Sequence, residues 1–99
     1  MAYESLIGLD VTDESRYQSY REAMLPILSR CGGGFRYDFR VGEVLKSETD
    51  SKINRLFLIH FPDRATKASF FADPEYLAAR QKFFEPAVKA VTILSEYER

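Results

Sequence analysis

The sequence predicts an α+β fold in which helices cover one face of a four-stranded antiparallel sheet. The 99 residues suffice for a single domain, residues 1–99, with one hydrophobic core. Stretches in which apolar and polar residues alternate, as in strands, are separated by stretches whose apolar residues recur every three or four positions, as in helices. Because 45% of the residues are hydrophobic, we expect a folded chain rather than a disordered one.

The N-terminal part of the chain predicts one strand and one helix. The strand, Tyr3 to Val11, alternates with a period of two. Thr12 or Asp13 then supplies the side-chain oxygen that caps a helix N-terminus. From Glu14 to Arg30 the apolar residues form one continuous helical stripe, so we expect a single long helix.

Proline and glycine mark irregular points in this helix. Pro26 should kink or restart it, because proline has no N–H to donate and crowds the preceding turn. Gly32 and Gly33 supply the left-handed conformation that ends helices. Since these glycines follow a helix and precede a strand, they do not form a phosphate-binding loop, which precedes a helix.

The second predicted strand, Phe35 to Leu45, has the strictest alternation in the chain. We expect its aromatic face to pack against the helices and its charged face to look toward a second subunit or a cavity between subunits. The aromatic face contains Phe35, Tyr37, Phe39 and Val41, and the charged face contains Arg36, Asp38 and Arg40.

A polar loop, Lys46 to Lys52, leads to a third strand, Asn54 to Phe61. This strand is apolar at nearly every position, which indicates that both of its faces are covered. Two helices in so small a chain cover only one face of a sheet. A second subunit is the simplest cover for the other.

The C-terminal part predicts helices and a final strand. Asp63 caps a short helix, Arg64 to Ala72, and a second helix begins at Pro74 and ends before Pro86. The last strand is Ala87 to Tyr97. The predicted order is therefore β-α-β-β-α-β, which is the ferredoxin-like arrangement.

Three segments resemble a known family: Leu25–Leu28 with the glycines after it, His60-Phe61-Pro62, and Phe70–Arg80 with its Pro-Glu-Tyr block. The chain is similar over nearly its whole length to the domain of unknown function 1330 family, within the dimeric α+β-barrel superfamily. The resemblance implies a ferredoxin-like protomer and a homodimer in which two sheets form a shared barrel. It implies no particular reaction, because none is established for the family. Family members usually carry an acidic residue at the position of His60.

His60, the only histidine, is a candidate catalytic base because its pKa suits proton transfer near neutral pH. The structural alternative, which we favour, is a histidine at a strand end that is hydrogen-bonded to the backbone. The hairpin loop lacks a turn motif that would fix the register, so the face of the sheet that His60 occupies is left open. No spacing of His, Cys or carboxylates predicts a metal site, and none predicts a cofactor.

The charged face of the second strand is a candidate ligand-binding site. Arg36 and Arg40 could bind an anion as forked donors, with Asp38 orienting them and Tyr37 as a phenol donor. The alternative is a charged edge strand whose residues contact a partner subunit, and we favour this interpretation. The remaining tyrosines of the helices are expected to be core residues.

Charge, apolar runs and cysteine content limit the expected partners, the location and the disulfide bonds of the chain. The net charge of −1 gives no reason to expect nucleic acid or an anionic membrane. The N-terminus lacks a signal-peptide pattern and no apolar run could span a bilayer, so we expect a soluble cytoplasmic protein. Cys31 is the only cysteine, which excludes an intrachain disulfide.

The sequence thus predicts a homodimeric protein that binds a small anionic or aromatic molecule. One alternative is an enzyme like the superfamily's cofactor-independent oxygenases and isomerases, with His60 as base. Another is a non-catalytic dimerisation or interaction module.

Overall fold

A computed structural model describes all residues, Met1–Arg99. The order of elements is strand, helix, two strands, two helices and strand, with a π-helical turn, Arg80–Phe84, after the last helix. The strands are β1 (Tyr3–Val11), β2 (Gly34–Arg40), β3 (Arg55–Phe61) and β4 (Val88–Glu98). The helices are α1 (Glu14–Arg30), α2 (Arg64–Ala72) and α3 (Pro74–Ala79). None of the helices has the length and hydrophobicity that a transmembrane span requires.

The four strands form one antiparallel sheet in the order β2-β3-β1-β4. This order, with both helical segments on one side, confirms the predicted ferredoxin-like fold. We call the side that packs against the helices the covered face and the other side the open face. Because β1 and β3 pair in register from Tyr3–Phe61 to Leu9–Arg55, odd-numbered residues of both strands point to the covered face.

The core lies between the covered face and the helices. Leu9 and Phe61 of the sheet pack there against Leu28 of α1, and all three are at most 1% exposed. Aromatic side chains fill much of the remaining space, with ring centroids 4.5 Å apart for Phe70 and Tyr76. The core therefore depends on apolar residues from β1, β3, α1, α2 and α3 together.

Helix α1 has the predicted bounds and continues through Pro26, so the expected restart there was wrong, while the alternative of a kink stays a prediction. Its N-cap is Asp13, whose carboxylate accepts a hydrogen bond of 3.0 Å from the Arg16 N–H. Gly32 has a φ of 77°, which is the left-handed conformation expected at the end of the helix. Gly33 does not adopt the left-handed conformation, since Gly32 is the only glycine with a positive φ.

Strand β2 departs from the predicted alternation at a β-bulge. Phe35 lies opposite Ile59, but Tyr37 lies opposite the adjacent Leu58, so two residues of β2 span one of β3. The extra residue, Arg36, reverses the faces of the strand beyond it. The prediction that the aromatic residues of this strand share one face was therefore wrong. The prediction that its charged residues share the other face was wrong for the same reason.

The hairpin loop is longer than predicted, since β2 ends at Arg40 and β3 begins at Arg55. Asn54 ties the end of the loop to β1: its side chain accepts from the Val11 N–H and donates to the Val11 carbonyl, both at 2.8 Å. Ile53 lies over Gly8, where an added Cβ would come within 3.0 Å of it. The loop thus covers one part of the open face.

Candidate functional site

A cavity of about 60 Å³ lies between the covered face of the sheet and the helices. Its wall is largely apolar, and twelve of the fourteen residues that line it are hydrophobic. Two arginines, Arg21 of α1 and Arg80 at the start of the π-helical turn, are the exceptions. Representative wall residues are Ile7, Met24, Phe35, Phe71, Phe84 and Val91.

One end of the cavity is polar. The hydroxyls of Tyr20 and Tyr76 are hydrogen-bonded at 2.9 Å, and Nη1 of Arg80 donates to the Tyr76 hydroxyl at 2.9 Å. Both tyrosines are buried, whereas Arg80 is half-buried. Burial raises the pKa of Tyr20, and its neighbour Tyr76 adds to the rise, so the phenol keeps its proton. The three residues form a chain of hydrogen bonds from the protein surface into the cavity.

The local sequence explains how Tyr76 and Arg80 meet. Asp73 caps α3 and accepts hydrogen bonds from the N–H groups of Glu75 and Tyr76 at 2.8 and 3.2 Å. Residues four apart on a helix lie on the same side, which brings Arg80 to the hydroxyl of Tyr76. The chain then widens into a π-helical turn, closed by the Glu85 N–H on the Arg80 carbonyl at 3.0 Å. Such turns are rare and occur often at functional sites.

A network of ion pairs lies beside the cavity. Asp38 accepts hydrogen bonds of 2.9 Å from Arg21 and from Arg55. The Arg21 guanidinium also lies 4.0 Å from the ring centre of Phe35 and donates to the Tyr17 hydroxyl at 2.8 Å. Burial acts to raise the pKa of Asp38, but the two arginines outweigh it and hold that pKa below its usual value. Each of the three guanidinium nitrogens of Arg21 thus donates to a partner within the chain, and its charge is paired with Asp38.

The open face has a second charged cluster, around Glu4. The carboxylate of Glu4 is fully buried and accepts hydrogen bonds from Arg36, from the Tyr97 hydroxyl at 2.9 Å and from Arg99 at 3.4 Å. Burial alone would raise the pKa of Glu4, but these three donors together lower it. His60 lies opposite Glu4 in the β1–β3 register, which resolves the face that the sequence left open.

The imidazole of His60 makes no hydrogen bond to any side chain or backbone group, so the expected bond to the backbone is absent. Its position depends on Gly34, because a Cβ there would lie 3.0 Å from Nε2 of the imidazole. Burial lowers the pKa of His60, and the nearby charge of Arg36 lowers it further against the opposing effect of Glu4. The imidazole is therefore neutral near pH 7.

The structure divides the predicted ligand-binding residues between the two faces. Asp38 and Arg40 lie on the covered face, where Arg40 is exposed and pairs in register with Arg55. Arg36 and Tyr37 lie on the open face, where the exposed Tyr37 ring stacks on Phe39 with centroids 5.8 Å apart. The predicted common face for Arg36, Asp38 and Arg40 is therefore wrong, because the bulge at Arg36 separates it from the other two. None of these residues, nor His60, lines the cavity.

Sequence reasoning missed the arginines of the cavity. The spacing of four between Tyr76 and Arg80, in a predicted helix, was a usable signal for their contact. The same spacing between Tyr17 and Arg21 was an equivalent signal for the second arginine. The structure brings together no group of three His, Cys, Asp or Glu side chains that could hold a metal ion.

Comparisons with known proteins agree with this architecture. The model of the family "Domain of unknown function (DUF1330)" matches residues 3–97, while no curated protein matches the chain. A protein of unknown function from Rhodopseudomonas palustris superposes with a TM-score of 0.80 at 17% identity, over 99% of this chain and 82% of that one.

Two further solved structures are similar. A Dabb family protein with a ferredoxin-like fold from Mesorhizobium loti gives a TM-score of 0.68 at 16% identity, over 99% of this chain and 96% of that one. A dimeric ferredoxin-like protein of unknown function from Jannaschia sp. CCS1 gives 0.62 at 14% identity, with both chains covered fully at 100%. At these identities the likeness shows the fold.

Proposed function

The chain belongs to the DUF1330 family of domains of unknown function, and we propose that it is a homodimeric protein that binds a small molecule between its sheet and its helices. The observation that carries this proposal is the cavity, whose wall is apolar except for Arg21 and Arg80, with the hydrogen-bonded hydroxyls of Tyr20 and Tyr76 beside Arg80. Small-molecule sites commonly combine an apolar wall with a few polar groups that orient the ligand.

The size of the cavity limits what it can take. A single water needs roughly 10–15 Å³, so a cavity of about 60 Å³ has room for a group of only a few heavy atoms. Val91, on the cavity wall, is 47% exposed, which leaves this part of the wall open to solvent. The enclosed part of the ligand is therefore small, and any larger part extends toward the surface.

Self-association is supported by the open face of the sheet. Tyr37 and Phe39 are 60% and 51% exposed there, beside Leu6 and Leu58, which are only half-buried. Scattered exposed apolar residues are common, but a contiguous set on one face is typical of an interface. A second copy of the chain offers the same surface, and the Jannaschia protein of the same fold is a dimer.

A ligand screen tests the binding proposal. Thermal unfolding is followed with a panel of small aliphatic and aromatic acids and their neutral analogues, and at least one is expected to raise the melting temperature. Val91→Phe should abolish the shift by filling the cavity, whereas Leu77→Phe, at an exposed position of α3 outside the cavity, should leave it unchanged. A panel without any shift would contradict the proposal and favour a non-catalytic dimerisation module.

An enzymatic role needs a different site. His60 lies on the open face, outside the cavity, so a substrate of an oxygenase- or isomerase-like reaction with His60 as base would have to lie between two subunits. The lowered pKa of His60 keeps the imidazole in the form that accepts a proton. Loss of turnover in His60→Gln, with ligand binding in the cavity unchanged, would identify this alternative.

A further inference from the structure

At the polar end of the cavity, one tyrosine hydroxyl hydrogen lacks an acceptor within the chain. Tyr20 and Tyr76 each carry one O–H, and the single hydrogen bond between them uses one of the two hydrogens. Arg80 also donates to Tyr76, so it supplies no acceptor for the other hydrogen. Neither hydroxyl has a further partner in the chain. Whichever tyrosine donates to the other, one buried O–H has no acceptor, and such a donor is costly to leave unpaired.

Arg80 adds further unused donors at the same place. Its guanidinium has five N–H groups, and one nitrogen, Nη1, donates to Tyr76. The group lies 4.4 Å from the ring centre of Phe84, and no carboxylate of the chain lies within ion-pairing distance of it. Arg30, one of the other arginines on the helical side, is by contrast paired with Glu75 at 3.3 Å. Arg80 is therefore a half-buried cation without an internal counter-ion.

These two observations define the chemistry of the missing partner. The surplus hydroxyl requires an acceptor, and an unpaired guanidinium at the same end favours one with negative charge and two oxygens. The rest of the wall, including Met24 and Phe71, favours an apolar body. The small volume restricts the enclosed part to a short chain.

We infer that the ligand is a short monocarboxylate whose carboxylate is held by Arg80 and the Tyr20–Tyr76 hydroxyl pair, with its hydrocarbon part against the apolar wall. This inference rests on the proposed function and makes it specific. Tyr20 and Tyr76 are then binding residues rather than core residues alone, and Arg80 selects acids over neutral compounds.

Titration calorimetry with butyrate and butyramide tests the inference, because the two probes have the same shape and differ in charge. Butyrate should bind at least about tenfold more tightly, as expected of one charge-assisted hydrogen bond. Arg80→Gln should remove this preference, and the double variant Tyr20→Phe/Tyr76→Phe, which removes both hydroxyl donors, should weaken butyrate binding. Arg30→Gln, on the exposed surface, should change neither affinity.

The outcomes separate the inference from the proposed function. Equal binding of both probes, or an undiminished preference in Arg80→Gln, would overturn the inference while the cavity remained a binding site. Binding of neither probe nor of any other compound in the panel would overturn both. Arg80→Lys replaces Arg80→Gln in this experiment if the glutamine variant does not fold. Lysine keeps the positive charge but lacks the bidentate geometry of the guanidinium, so the preference for butyrate should persist but be weaker.

Discussion

The carboxylate of Asp38 receives two parallel hydrogen bonds of 2.9 Å from the guanidinium of Arg55, Nε to Oδ1 and Nη2 to Oδ2. This is the forked geometry that gives strong ion pairs between arginine and carboxylates. Arg21 of α1 binds the same carboxylate, so Asp38 connects the edge strand β2 with β3 and with the first helix. The side chains of Arg21 and Arg55 are only 6% and 11% exposed.

Asp38→Asn should therefore destabilise the fold. The substitution leaves two nearly buried guanidinium groups without their shared negative charge, which costs roughly 2–3 kcal/mol for a carboxylate that is itself partly exposed. Urea unfolding at pH 7 measures the change in free energy. Asp50→Asn, in the exposed hairpin loop, is the matched control and should change stability by less than about 0.5 kcal/mol. Equal stability of both variants would show that Asp38 does not hold these elements together.

The same carboxylates predict how stability depends on pH. The folded pKa of Asp38 and that of Glu4 are both lowered, so the unfolded chain binds protons at higher pH than the folded chain does. Their contribution is fully present above the ordinary values, about 3.9 for Asp and 4.3 for Glu, and is lost as the pH falls through the lower folded values. Urea midpoints at pH 7, 5, 4 and 3 should decline below about pH 5. A midpoint constant to pH 3 would contradict both lowered pKa values.

His60 offers a direct test of the open-face cluster. Because it is the only histidine, NMR can follow its ring protons without ambiguity, and its pKa should lie below the ordinary 6.5. Arg36→Gln should raise this pKa, since it removes a repelling charge and leaves Glu4 nearby. Arg16→Gln, on the exposed side of α1, should have no effect. A pKa that is the same in wild type and Arg36→Gln would place Arg36 away from the histidine.

Gly33 and Gly42 form a matched pair for testing the packing at the end of α1. A Cβ at Gly33 would lie 2.6 Å from Cδ1 of Leu28 and 2.8 Å from the backbone oxygen of His60, so Gly33→Ala forces the backbone to move. Such overpacking typically costs about 1–3 kcal/mol. Gly42→Ala meets nothing within 4 Å and should be nearly neutral in the same unfolding experiment. A stable Gly33→Ala variant would contradict the close approach of β3 to this turn.

The sequence predicted some elements of this fold to the residue and missed others for physical reasons. The bounds of β1 and α1 agree with prediction because alternation, the Asp13 cap and the glycines each mark an end. The bulge at Arg36 could not be predicted, since the alternation of apolar and polar residues shows the side-chain period of a strand and not its pairing with another strand. Val41 to Leu45 alternate too, but β3 starts opposite Arg40 and leaves them without a partner strand.

The candidate site was harder to predict than the fold. The cavity is formed by side chains from all four strands, the three helices and the π-helical turn, which only the packing brings together. The tyrosines at its polar end have the spacing of ordinary core residues. Only the contacts of Tyr76 with Arg80 and of Tyr17 with Arg21, each between residues four apart on a helix, are local enough to be predicted from the sequence.

Sedimentation equilibrium tests whether a second copy of the chain covers the open face. At micromolar concentration the wild-type protein should have twice the chain mass of 11.4 kDa. Phe39→Glu should dissociate it, because a charge replaces an aromatic ring on that face, whereas Leu77→Glu, at a similarly exposed position on α3, should remain a dimer. A wild-type protein that sediments as a monomer would show that no second copy covers the open face.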